Sequence, residues 1–292
     1  MEASPILREA QRQKLCGNTE LSENDGLHQS QSTLGPNIYW YDDHRFLPKS
    51  LSSPFLIAHE FLDALPIHKF EKTSKGWREL LVDVEQPTSH LVPAPKSESS
   101  PTQFQLTLAP HRTAYSATLP TTSKRYDQLP PPSRIEISPE AFILAQEMAK
   151  LISTASSGAC LLIDYGPADR IPIDSLRGIK AHKMVSPFLL PGEVDLSADV
   201  DFLGIKETIE TSKLAKVHGP VEQGTWLHAL GIGARATMLT EKQPTVEGKN
   251  RIRSEYERLT ERGGGAMGKA YKFMALTPTD SNTPVGFGGN VQ

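Results

Sequence analysis

Two cysteines in 292 residues, and no apolar run near the roughly 18 residues that a membrane helix needs, remove several function classes at once. Cys160 lies inside the apolar run ACLLID, where a thiol acts as a small hydrophobe, so neither a disulfide framework nor a cysteine metal site is expected. Membrane insertion is not expected either. Excess positive charge is missing too: the formal net charge is −3 with mixed signs along the chain, so nucleic acid is not an expected partner. No dinucleotide fingerprint occurs, which disfavours a Rossmann-type oxidoreductase. The glycines of ERGGGAMGK (261 to 269) stand near the far end of the chain and read as a loop, not a phosphate or cofactor cradle. The opening MEASPILREAQRQKL has neither the apolar core of a secretory signal nor an acid-poor, Arg- and Ser-rich presequence.

What is present, 38% hydrophobic and 22% charged residues, suits one large globular domain or two small ones. Ser4 as N-cap, Pro5 at the first helical position and Ile6, Leu7, Ala10 and Leu15 near helical spacing predict a helix at the start. Residues 17 to 37 are polar and turn-rich and read as a loop. IYWYDD (38 to 43) reads as a strand ending in two carboxylates, and SPFLIA as a strand covered on both faces. WRELLVDVE and QFQLTLAP alternate apolar and polar residues as half-exposed antiparallel strands do, so residues 69 to 137 read as a small β-rich insertion. Its Pro/Ser stretches, 86 to 102 and 119 to 133, are expected to be mobile loops. The division expected is 1–68 and 138–277 as parts of one core, 69–137 as the insertion, and 278–292 as a Gly-, Pro- and Asn-rich disordered tail.

SPEAFILAQEMAKLI predicts a helix with Ser138 as N-cap, Pro139 at its first position and Phe142, Ala145, Ala149 and Ile152 on one face. GACLLIDYG follows as an apolar strand ending in Asp164, Tyr165 and Gly166. DLSADVDFLGIKETIE reads as a linker into an amphipathic helix, AKVHGPVEQ as a strand, GTWLHALGI as a short helix, 247 to 262 as a charged helix, and KAYKFMALT as the last strand. Alternating strands and helices imply an α/β fold with a mainly parallel sheet and helices on both faces, in which ligands sit beyond the carboxyl ends of the strands.

Two acidic segments occupy that position. In FLIAHEFLDALP the residues His59, Glu60 and Asp63 leave an apolar strand. A zinc helix would need a second histidine where Asp63 stands, and His68 lies beyond Pro66, so no metal is expected there. Asp195, Asp199 and Asp201 suggest a cation only weakly, since Asp199 and Asp201 equally suit capping of the next helix. Glu60 and Asp63 suit two tasks: charging the N-terminus of a short helix, worth about 0.3–1 kcal/mol, or accepting the forked hydrogen bonds of a guanidinium. Asp164 can cap the loop YGPADR or line the same cleft.

The strings HEFLDALPIHKF, GWREL, LLIDYG, LRGIKAHK, PGEVDLSADVDF, GPVEQGTWLHALGI and MGKAYKFMAL, in this order, resemble the MidA family, the mitochondrial complex I assembly-factor class of S-adenosylmethionine-dependent protein arginine methyltransferases. The resemblance spans about residue 2 to residue 277. It implies a Rossmann-like class I methyltransferase sheet of seven strands with an inserted subdomain, PFLIA being the fourth strand and ACLLID the fifth. It implies methyl transfer from S-adenosylmethionine to an arginine of a complex I core subunit in the mitochondrial matrix, and leaves room for a homodimer. Carried onto this sequence, Glu60 and Asp63 fall in the acidic loop that holds the substrate guanidinium. Glu2, at the end of the second strand, falls where an acid accepts the ribose hydroxyls. Asp42 or Asp43, after the third, falls where adenine is contacted, and His59 is placed among the cofactor contacts.

The family's first strand and Gly-rich cofactor turn should precede residue 2. The expectation is therefore a sheet without its central first strand and cofactor loop, and a truncated chain inactive as it stands. A non-catalytic complex I assembly or binding protein is the alternative reading.

Overall fold

In the computed structural model, all residues are described except 3, 50, 85–103, 156, 264 and 290–292. The chain forms two compact units, Met1–Ser52 and Ser53–Gln292. No helix among the described residues is long and apolar enough to cross a membrane.

The first unit holds helix α1 (Pro5–Cys16) and strands β1 (Ser22–Asn24), β2 (Leu27–Gln31) and β3 (Asn37–Tyr41), in an antiparallel sheet of order β1-β2-β3. Ser4 caps α1 as expected, its Oγ accepting from Leu7 N. One expectation fails here, and the burial of α1 is a finding of its own. The polar segment 17 to 37 contains β1 and β2, because the side chains that β2 buries are His28 and Ser30, which carry no hydrophobic signal. And α1 buries Arg8 and Cys16 while Ile6 is 82% and Leu7 54% exposed. The strand in IYWYDD forms, but among the described residues it pairs only with β2. Glu2 is not part of a strand; its amide donates to Tyr41 O at 3.0 Å.

The second unit opens with β4 (Phe55–His59) and then a four-stranded antiparallel sheet of β5 (His68–Thr73), β6 (Gly76–Val84), β7 (Phe104–Leu108) and β8 (Ser133–Ile137), in the order β7-β6-β5-β8. Between β7 and β8 lie helices α2 (Ala114–Thr118) and α3 (Lys124–Asp127), so the stretch 119 to 133, expected to be a mobile loop, is partly helical. The stretch 86 to 102 lies outside the described residues. Phe70, Trp77, Tyr126, Ile135 and Ile137 make a core of this subdomain's own.

Helix α4 (Pro139–Ser153) then leads into β9 (Ala159–Tyr165). Strands β10 (Arg177–Lys180), β11 (Lys183–Val185) and β12 (Asp195–Ser197) form a small antiparallel sheet of order β11-β10-β12. Helix α5 (Phe202–Ser212), strand β13 (Lys216–Glu222), helices α6 (Gln223–Ala229), α7 (Ile232–Glu241), α8 (Val246–Thr260) and α9 (Met267–Ala270), and strand β14 (Tyr271–Thr277) complete the unit. The main sheet runs β13-β14-β9-β4. Only β4 and β9 are parallel; β14 is antiparallel to both of its neighbours, so the described sheet is mainly antiparallel rather than mainly parallel. Element order alone carries no such information, since the β14 insertion between β9 and β13 is a long-range pairing.

Helix α4 buries Leu144, Ala145, Ala149 and Ile152, and α5 buries Phe202, Ile205 and Ile209, against Cys160, Leu162, Met274 and Leu276 of the sheet. Each large apolar side chain so buried contributes about 1.5–3 kcal/mol. Strand β4 is covered on one face only: Ala58 is buried, whereas Phe55 is 78% and Ile57 74% exposed. The insertion is tied to the core at Asp201, which caps α5 through Gly204 N (2.9 Å), accepts both terminal nitrogens of Arg125 (2.9 and 3.1 Å) and the Tyr126 hydroxyl (2.8 Å). Segment 278–289, expected to be disordered, makes turns, and its Ser281 carbonyl accepts from Lys216 Nζ at 3.1 Å.

Candidate functional site

The parallel pairing of β4 with β9 brings HEFLD and IDYG to one sheet edge. The Glu60 amide still donates to Ile163 O (3.0 Å), extending the ladder, and then its φ of +48° turns the chain sharply. A non-glycine residue in this region is uncommon and strained. The turn aims three successive amides, Phe61, Leu62 and Asp63, at a single oxygen of Asp164, at 3.2, 2.9 and 3.3 Å. Such a run of N–H groups is an anion-holding nest. The second Asp164 oxygen accepts from Tyr165 N at 2.9 Å. Asp164 is 1% exposed, and burial, with the Asp63 charge beside it, pushes its carboxyl up to about 7 against the pull of the amides. Asp164 thus holds the first amide of YGPADR and shapes the Glu60 loop, and it is not among the residues that line the cleft at Tyr165. Just beyond it, Gly166 has φ +154° and lies so near Val200 that an added Cβ would stand 2.4 Å from the Val200 carbonyl oxygen.

Glu60 and Asp63, paired in expectation, part company. The Glu60 side chain is 47% exposed, and its Oε1 accepts the Tyr271 hydroxyl, which also shares a hydrogen bond with the Tyr165 hydroxyl. The Tyr165 and Tyr271 rings lie 4.1 Å apart because the antiparallel register sets these residues opposite each other. Only the Tyr271 phenol is bonded to the Glu60 carboxylate, and burial followed by that hydrogen bond raises the Tyr271 pKa. His59 lies edge-on to Tyr271 (6.4 Å between ring centroids), its Nε2 3.8 Å from Glu60 Oε1. Asp63 turns inward: it is 9% exposed, its Oδ2 accepts from Ser197 Oγ at 2.9 Å, and burial raises its pKa. Its carbonyl accepts from Ala198 N at 2.9 Å, so it pins the loop to the segment after β12.

On the other side of Tyr165, the Arg177 guanidinium lies 5.4 Å over the ring and donates to Asp199 Oδ1 (2.7 Å) and Ser175 O (3.1 Å). Asp199 is thereby engaged as an ion-pair partner, Asp201 as the cap described above, and Asp195 lies exposed in β12. No group of three or more His, Cys, Asp or Glu among the described residues is arranged to hold a metal ion.

In the first unit, Glu2 and Asp42 meet around Arg8, whose Nη1 donates to Glu2 O at 3.1 Å and to Asp42 Oδ1. His28 Nε2 sits 3.2 Å from Asp42 Oδ2, and this contact with the Arg8 charge holds the Asp42 carboxyl below the usual range. The Glu2 carboxylate accepts from Ser4 N and Gln11 Nε2, both at 3.0 Å. Asp43 instead caps the turn His44–Phe46, and Arg45 holds its carboxyl down at about 2.

Sequence reasoning does not find Tyr165, Tyr271 or Arg177. The strand-end position of Tyr165 in LLIDYG was a usable signal. Tyr271 had none, because only the register of β14 on β9 brings it to Glu60.

The family model described as "Putative S-adenosyl-L-methionine-dependent methyltransferase" matches residues 1–221. The chain is 32% identical over 282 residues to "Protein arginine methyltransferase NDUFAF7, mitochondrial" of Xenopus tropicalis, covering 95% of this chain and 60% of that protein. It is 34% identical over 244 residues to the Mus musculus protein of the same name, covering 84% and 50%. The chain thus spans between half and three-fifths of these relatives' length. Among solved structures, an uncharacterized protein from Burkholderia thailandensis superposes with a TM-score of 0.63 at 20% identity, over 86% of this chain and 59% of that one. A second structure from that organism, bound to S-adenosyl-homocysteine, superposes with a TM-score of 0.59 at 21% identity, over 83% and 56%. These likenesses establish the Rossmann-like class I methyltransferase fold.

Proposed function

This chain belongs to the S-adenosyl-L-methionine-dependent methyltransferase family whose model it matches, and we propose that its protein is an arginine methyltransferase with Glu60 as the guanidinium-binding carboxylate. The observation that carries this reading is Glu60 itself: a strained backbone, a half-exposed carboxylate and a phenol that fixes one of its oxygens. Strain of this kind persists where the surrounding structure overdetermines it, as at functional sites.

An arginine is a poor nucleophile because its charge is delocalised and its pKa exceeds about 12. The bound cofactor would supply an electrophilic methyl group on a sulfonium. The work left to the protein is to aim one terminal guanidinium nitrogen and to stabilise the cation throughout. The free oxygen of Glu60 suits that task, while the Tyr271 hydroxyl prevents the carboxylate from rotating away. Asp63, turned to Ser197, serves as the loop's anchor, its charge acting on the guanidinium through space. His59 stands beside Glu60 on the same rim.

Glu2 and Asp42 suit the cofactor's hydroxyl and amino donors. The Asp42 side chain is 38% exposed with one partner on each oxygen, which leaves lone pairs for such donors. The reading extends to the matrix of mitochondria and to a complex I core subunit as substrate; its support is that the vertebrate relatives are named mitochondrial protein arginine methyltransferases.

Glu60→Gln in the full-length protein tests the proposal, with methyl transfer to a protein arginine and S-adenosyl-homocysteine affinity both measured. Transfer should fall at least ~100-fold, in line with the loss of a positioned electrostatic group, with cofactor affinity within about twofold. Equal losses in both, or in neither, refute the clamp. An active site that never transfers methyl, even in the unaltered protein, would favour a non-catalytic assembly role.

A further inference from the structure

An open cleft of about 1100 Å3 begins at Tyr165 and runs between the loop after β9, the β10–β11 hairpin and the segment before β14. Its volume exceeds the roughly 300–1,000 Å3 typical of small-molecule sites. At its floor is Lys272, 4% exposed. The Lys272 ammonium donates to the carbonyls of Lys269 and Ala270. An ammonium has three donors, so one is left over. Among the described residues no carboxylate is bonded to it. Glu222, Asp199 and, more weakly, Asp169 act on it through space; Glu222 is already taken by Arg262 at 3.0 Å and Asp199 by Arg177 at 2.7 Å. Burial without a paired anion costs several kcal/mol in the charged form, and it lowers the Lys272 pKa.

The walls repeat the imbalance. Arg170, Lys183 and Lys269 line the cleft, are exposed and have no ion-pair partner among the described residues. Of the lining acids, Asp174 is paired with Lys69 at 3.0 Å, which leaves Asp169 as the only acid on the wall without a bonded cation among the described residues. Four uncommitted cations against one uncommitted acid, in a chain of net charge −3, is a local feature rather than an average.

We propose that this cleft receives acidic residues of the protein substrate flanking the target arginine, with Lys272 binding one carboxylate at the floor. The proposal rests on Glu60 being the arginine site. Tyr165 joins the two places: its hydroxyl is bonded to Tyr271, which holds Glu60, and its other side lines the cleft. An extended peptide advances about 3.3 Å per residue, so residues near the arginine pass over Tyr165 into the cleft.

Two arginine peptides of equal length, one with aspartates flanking the arginine and one with asparagines, are titrated into the full-length protein by fluorescence anisotropy. Methyl transfer to each is followed in parallel. The aspartate peptide should bind roughly tenfold tighter, about 1.4 kcal/mol, and the advantage should shrink as salt is raised. Lys272→Met should abolish the preference, Lys272→Arg should keep it, and both should retain affinity for S-adenosyl-homocysteine. The exposed pair Arg170→Ala/Lys269→Ala, which leaves the buried floor untouched, should lower the preference severalfold. Equal binding of the two peptides, or a preference that survives both Lys272→Met and the exposed pair, overturns the assignment. Loss of S-adenosyl-homocysteine affinity in Lys272→Met with the peptide preference intact would move the anion to the cofactor and overturn it as well. Preferential binding without methyl transfer to either peptide would instead sink the methyltransferase reading and leave the cleft standing.

Discussion

Replacing Asp164 by asparagine should change how the stability of this protein depends on pH. The carboxyl titrates at about 7 in the folded protein and at 3.8 in its unperturbed state. A carboxyl whose pKa is raised on folding keeps its proton in the native state while the unfolded chain has lost it. Its contribution is therefore fully present below about pH 4, declines as pH rises, and is gone above about pH 7. At 1.36 kcal/mol per pKa unit the ceiling is about 4 kcal/mol. Asparagine keeps an oxygen for the amides of Phe61, Leu62 and Asp63 but turns an NH2 group toward the Tyr165 amide, a fixed cost of about 1–3 kcal/mol. That cost shifts the whole curve and leaves its slope unchanged. Urea unfolding of both proteins at several pH values between 4 and 8 gives the difference curve, in which the wild-type advantage should shrink steadily with rising pH. A wild-type advantage that grows with pH would refute the reasoning. It would mean that four amide donors outweigh burial and the Asp63 charge, and that Asp164 is ionised throughout.

Tyr271→Phe keeps the ring packed on Tyr165 but frees the Glu60 carboxylate; kcat for methyl transfer should fall roughly tenfold, about the worth of one hydrogen bond to a charged group, with KM for the peptide nearly unchanged. An equal fall in thermal stability and in KM would instead mark Tyr271 as structural. Asp201→Ala removes the partner of Arg125, Tyr126 and the α5 amide together, and unfolding measurements should show a loss of about 3–5 kcal/mol, as for a broken buried ion pair.

In the second unit β4, β6, β7, β9, β13, β14, α4 and α5 are legible in the sequence, several because their buried faces are apolar at the right period, whereas β10, β11, β12 and α7 are not. Cys160, Leu162 and the α4 face are examples, and so is the alternation in WRELLVDVE that marked the insertion. Motif order also led to the methyltransferase family. What failed is equally specific. Strand β2 was invisible because it buries His28 and Ser30, and a polar strand has no hydrophobic period. The one-sided cover of β4 was missed because Phe55 and Ile57 are as apolar as a core strand.

The sequence by itself determined that HEFLD lies at the end of a strand and carries acidic side chains at a candidate ligand edge. Only the tertiary structure decided which carboxylate faces outward. The β4–β9 register delivers Asp164 to the amides of 61–63, that grip turns Glu60 out and Asp63 in toward Ser197, and the β14 register adds Tyr271. Hydrogen bonds between residues more than 100 positions apart choose these directions, and no local pattern in the chain encodes them.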